Sequence, residues 1–87
     1  MVIDFTATWC GPCKMIAPVY HELSETEEIK RLGVVFLKVD VDENQETASE
    51  YGVAAMPTFI FIKDGEVKDR LMGANAPRLG EMIMELA

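Results

Sequence analysis

Within its first two dozen residues the chain passes from a strand pattern to a helix pattern across Trp9-Cys10-Gly11-Pro12-Cys13-Lys14. Val2–Thr8 is a short, mostly apolar run, as a buried strand requires. From Cys13 onward, Met15, Ile16, Val19, Tyr20 and Leu23 recur at helical spacing. Gly11-Pro12 stands where that helix begins, and Pro18 falls inside it, where a missing donor and a crowded turn predict a kink. Glu25–Leu32 prolongs the helical pattern and Gly33 is its expected stop. Val34–Asp40 is a nearly continuous apolar run with one interior charge, the signature of a buried parallel strand. Asp42–Tyr51 reads as a short helix capped by Gly52. Thr58–Lys63 and Glu66–Met72 flank Asp64-Gly65, a strong hairpin signal. Asn75-Ala76-Pro77 opens a last helix, with Pro77 near its first position and an apolar stripe of Leu79, Met82, Ile83 and Leu86. The order is β-α-β-α-β-β-α. Strands joined through helices are expected to be parallel with right-handed crossovers, and the hairpin pair antiparallel. The expected architecture is α/β, a four-stranded mixed sheet with helices on both faces.

Composition bounds the rest. The chain has 87 residues and a net charge of −7 at neutral pH. One domain over residues 1–87 is expected, because domains start at roughly 50 residues. A chain this short buries only about 60–65% of its unfolded surface, so the core is small. Hydrophobic residues make up 49%, too many for a disordered chain. No apolar run approaches the ~20 residues of a membrane span, and Met1-Val2-Ile3-Asp4 has no basic segment of a signal peptide. An acidic chain without a Lys/Arg cluster lacks the concentrated positive charge that nucleic-acid phosphates need. Neither a membrane nor a nucleic acid is therefore expected as a partner.

Cys10 and Cys13 are too few for a disulfide framework, but their spacing is informative. Three residues is almost one helical turn, so the two side chains can face each other and close a small disulfide ring. Cys10 falls at a helix N-terminus, where unpaired N–H groups and the positive dipole end stabilise a thiolate. Cys13, one turn in, is expected to be the more buried, which pairs an exposed nucleophile with a shielded resolving thiol. A zinc site normally needs four ligands. His21 lies eight residues past Cys13, about 12 Å along a helix, and cannot complete one. Haem attachment calls for His at position 14, where Lys14 stands. No metal and no cofactor are expected, and a redox dithiol is the reading that remains.

Val2-Ile3-Asp4-Phe5-Thr6-Ala7-Thr8-Trp9-Cys10-Gly11-Pro12-Cys13-Lys14-Met15 resembles the active-site segment of the thioredoxin family. Val35–Asp42, Met56-Pro57-Thr58-Phe59 and Lys63-Asp64-Gly65 match later landmarks of that family in order, so the resemblance covers essentially the whole chain. It implies a minimal thioredoxin fold. It implies a protein-disulfide reductase in which Cys10 attacks a target disulfide and Cys13 breaks the mixed disulfide. The implied partners are disulfide-containing proteins and an NADPH-dependent thioredoxin reductase, and the implied place is a reducing cytoplasm, with roles in electron transport and redox homeostasis. Asp4, a charge in an apolar strand, matches the family carboxylate that lies behind the cysteines and helps deprotonate the resolving thiol. Lys38 matches the lysine beside it. Pro57 matches a cis proline facing the cysteines. Trp9, Gly11, Pro12, Met56, Gly73 and Ala74 match the shallow docking surface.

Most members begin with a further strand and helix before the segment that starts here at Val2. The chain therefore reads as either a naturally short member or a truncated one, and as a monomer or a weak dimer through an exposed Val34–Val39 edge. Thr6 stands where many bacterial members have Trp. Met72 and Met82 read as core packing, and His21 and the Glu22–Glu28 run as solvated helix surface. Two other functions compete with the reductase. One is a non-catalytic interaction module on the same surface. The other is a dimer holding an iron–sulfur cluster through Cys10, which Pro12 and the lack of a recognisable glutathione site disfavour.

Overall fold

The computed structural model describes residues 1–86. The chain runs β1 (Val2–Thr6), α1 (Gly11–Glu25), α2 (Glu27–Arg31), β2 (Phe36–Asp40), α3 (Gln45–Glu50), β3 (Thr58–Lys63), β4 (Glu66–Met72) and α4 (Ala76–Leu86). The four strands form one mixed sheet in the order β2-β1-β3-β4. The two central strands are buried on both faces, Val2–Phe5 in β1 and Thr58–Ile62 in β3, which explains their near-continuous apolar runs. On one face Val2, Phe59 and Phe61 pack under Ile16, Tyr20, Ile29 and the α4 stripe Leu79, Met82, Ile83 and Leu86. On the other, Ile3, Phe5, Ile60 and Ile62 pack against Ala48 of α3, with Tyr51 and Val53 beside it.

β1 and β2 are parallel, with Asp4 opposite Lys38. β3 departs from the expectation that helix-joined strands run parallel: it lies beside β1 and antiparallel to it. The segment between Asp40 and Thr58, which holds α3, brings the chain back to the end of the sheet where β2 finishes, so β3 enters from that end. Asp64 and Gly65 both have positive φ, 55° and 77°, the conformation that a two-residue hairpin needs between β3 and β4.

The first helix continues through Pro18 but stops earlier than its charge pattern suggests. Thr26 is extended (ψ 126°), and its hydroxyl donates to the Glu22 carbonyl at 3.0 Å, which divides α1 from the short α2. Glu27 and Glu28 open α2, while Lys30 and Arg31 close it, in the sense the helix dipole favours. Tyr20 ties α1 to the sheet. Its hydroxyl donates to the Leu37 carbonyl at 2.6 Å, and its ring packs on Phe36 and Phe59.

Candidate active site

The carboxyl ends of β1, β2 and β4 and the amino end of β3 lie at one end of the sheet, and the sequence-predicted residues gather there. Cys10 is the N-cap of α1, in an extended conformation (φ −90°, ψ 112°), and Pro12 occupies the first turn. The Cys10 sulfur accepts the Cys13 backbone N–H at 3.2 Å. A sulfur held this way meets an unpaired helix N–H and the positive end of the dipole, the setting that favours a thiolate. Cys10 and Cys13 are joined as a disulfide, with Cα atoms 5.3 Å apart. Both are buried, Cys10 at 5% and Cys13 at 2% exposure, so the expected contrast between an open and a shielded sulfur is small in this oxidised pair. The two pack with Ala7, and partly buried Val41 and Met56 pack against that cluster.

Around the disulfide lies an apolar rim. Trp9 is 64% exposed, and its indole N–H donates to Asp42 at 2.8 Å. The Met56–Pro57 peptide is cis, and the Met56 carbonyl oxygen lies 3.6 Å from the Cys10 sulfur. The Gly73 N–H donates to the Pro57 carbonyl at 2.9 Å, so the β4 end holds the proline loop. Gly73 has φ +96°, which a side chain would strain. Gly11, Pro12 and Ala74 are exposed beside it, and Met56 and Gly73 are half-buried. Met72, expected in the core, is exposed at the end of β4, whereas Met82 is buried. β4 is an edge strand, and Met72 at its end is 66% exposed, next in sequence to Gly73.

Asp4 and Lys38 lie one layer down. Asp4 is 1% exposed, and its Oδ1 has no hydrogen-bond partner among the described residues. Burial pushes the carboxyl up to about 6, and the Lys38 charge opposes this rise. No hydrogen bond joins this carboxyl to either cysteine among the described residues. A cleft of about 590 Å³ opens behind Cys13, lined by Thr6, Lys14, Lys38, Asp40 and Asn44 among others. Among the described residues no group of three or more His, Cys, Asp or Glu is placed to hold a metal ion. Among the described residues no helix is long and apolar enough to cross a membrane.

Sequence reasoning did not find Asp42. It lies 33 residues from the indole it binds, and no spacing rule connects the two. Its own position is set by Asp40, whose carboxylate accepts the Asp42 N–H at 2.8 Å.

A cysteine pair closing on itself at a helix N-terminus, ringed by an apolar rim, defines a thiol–disulfide oxidoreductase site. The comparisons agree. The thioredoxin family matches residues 1–85. Thioredoxin H4 of Arabidopsis thaliana is 53% identical over 85 residues, covering 98% of this chain and 69% of the relative. An H-type thioredoxin of Oryza sativa subsp. indica is also 53% identical, and the match covers 98% of this chain and 66% of that one. The chain thus spans about two thirds of the length of these relatives. In structure it is similar to Fasciola hepatica thioredoxin, with a TM-score of 0.91 and 52% identity, over 99% of this chain and 79% of that one. The chain belongs to the thioredoxin family.

Proposed function

We propose that the chain reduces disulfides in other proteins, with Cys10 as nucleophile and Cys13 as resolving thiol. The Cys10 thiolate attacks one sulfur of the target disulfide and expels the other as a thiolate. The Cys13 thiolate then attacks the Cys10 sulfur, releases the second target thiol, and closes the Cys10–Cys13 bond. Two electrons pass from the dithiol to the target. An NADPH-dependent thioredoxin reductase returns them, and a reducing cytoplasm suits the cycle. The observation that carries this reading is the Cys10 sulfur seated as the N-cap of α1, where a thiolate is favoured.

In this reading Asp4, with Lys38 beside it, takes the Cys13 proton. A buried carboxyl brought up to about 6 is a better proton acceptor at neutral pH than an ordinary one. The rim of Trp9, Gly11, Pro12, Met56, Gly73 and Ala74 holds an extended target segment, with the Met56 backbone offered in the manner of strand addition. Asp4→Asn is expected to slow release of the mixed disulfide more than its formation. Stopped-flow traces in which both steps slow equally count against this role.

The deciding measurement is the reduction potential of the Cys10–Cys13 couple against a dithiol buffer. A value near the benchmark set by thioredoxin itself, about −270 mV, supports the reductase. A value above about −200 mV overturns it and favours an isomerase or an interaction module.

A further inference from the structure

The loop that carries Met56 and Pro57 begins where α3 ends. That end is a Schellman motif: the Gly52 N–H donates to the Ser49 carbonyl at 3.0 Å and the Val53 N–H to the Ala48 carbonyl at 2.9 Å. Gly52 sits at φ +63°, as the motif needs. The carbonyls of Tyr51 and Gly52, just past the last turn, receive the Arg70 guanidinium from β4. Its Nη1 donates to the Gly52 oxygen at 3.3 Å, and its Nη2 donates to the Tyr51 oxygen. A cation at the carbonyl end of a helix also meets the negative end of its dipole.

The far end of the same loop is held too. The Thr58 hydroxyl donates to the Ala55 carbonyl at 2.6 Å, and the Gly73 N–H donates to the Pro57 carbonyl at 2.9 Å. β4 and the residue that follows it therefore grip the loop at both ends, Arg70 at the loop's start and Gly73 at its finish. Between the grips, Ala54 and Ala55 are exposed, and half-buried Met56 packs beside the cysteine pair. From these contacts we infer that Arg70 is a positioning residue for target docking: its two-pronged hold on the Tyr51 and Gly52 carbonyls presets the loop whose Met56 backbone meets the target. The inference rests on the docking reading given above. A preset loop spares the target the entropy of ordering it, which affects binding of an extended protein segment more than that of a small disulfide.

The test compares insulin with a small aromatic disulfide as substrates for the full chain. Arg70→Met keeps an apolar stem and removes the donors. It is expected to lower kcat/KM for insulin about 5-fold more than for the small disulfide, chiefly through KM. Arg70→Lys, which can still donate to one carbonyl, is expected to recover part of that difference. Equal loss on both substrates overturns the inference, because a merely destabilised chain loses both. No change on either overturns it as well, and so does an Arg70→Lys variant indistinguishable from Arg70→Met. Trp9→Ala separates the two readings. If Trp9→Ala selectively loses insulin reduction and Arg70→Met does not, only the Arg70 role fails. If neither variant discriminates between the substrates, the docking reading fails with it.

Discussion

Asp4 carries a carboxyl into the centre of the sheet, between Lys38 on one neighbouring strand and Phe59 on the other. Its pKa is raised from 3.8 to about 6, so the folded state binds a proton that the unfolded state releases. The stability from this group is complete below about 4 and is lost as pH rises through about 6. Asp4→Asn removes that loss. It is expected to stabilise the chain at pH 7 by about 3 kcal/mol, and by little at pH 3, in urea titrations at the two pH values. Tyr20 gives a contrasting case. Its phenol is buried, and burial together with the nearby Asp4 charge holds it above its ordinary range. Tyr20→Phe leaves the ring contacts and removes one hydrogen bond to Leu37, so a cost of about 1 kcal/mol is expected in the same titrations. Asp4 was legible in the sequence as a charge out of place in an apolar strand. The Tyr20 hydroxyl was not, because helical spacing reports that a ring is buried and nothing about where its oxygen finds an acceptor.

At the scale of elements, the hairpin and the last helix were the most legible parts. Each has its own chemical punctuation, in Asp64-Gly65 and in Pro77. The split between α1 and α2 was not legible. It depends on the backbone of Thr26 turning extended, although the residues around it favour a helix. The antiparallel entry of β3 was also hidden, since no local pattern between β2 and β3 shows at which end of the sheet that segment returns the chain. α4 offers a direct test of packing. Gly80 lies inside this helix, and a Cβ there would meet Leu23 Cδ2 at 3.9 Å, an ordinary contact. Gly80→Ala is expected to stabilise the chain by about 0.5–1 kcal/mol, because it restricts the unfolded chain and fills space against α1. A thermal midpoint below that of the parent chain would contradict this.

For the whole molecule, the sheet order sets both the site and the exposed margin. Among the described residues β2 pairs with β1 alone, and Val35 and Leu37 are about half-exposed along it. Edges of this kind pair with one another. The 87-residue chain is therefore expected to self-associate as concentration rises, and Leu37→Lys to suppress this. Light scattering that gives one chain's mass at every concentration would count against it. The cysteine pair and the out-of-place carboxyl were legible because they lie in one short, ordered stretch, whereas the rim residues were named only through the family resemblance. The links that hold the rim, Trp9 to Asp42 and Arg70 to the α3 end, join residues far apart in sequence and emerge only from the fold. One consequence concerns which targets such a molecule can serve. On the proposed reading, Cys10, recessed to 5% exposure, is reached poorly by a disulfide set flat or sunk in a rigid protein. A target has to offer its sulfurs on a protruding, pliable segment. The choice of target then depends on the mechanics of the other protein, and a disulfide that is spared while its protein is intact becomes reducible when that region loosens.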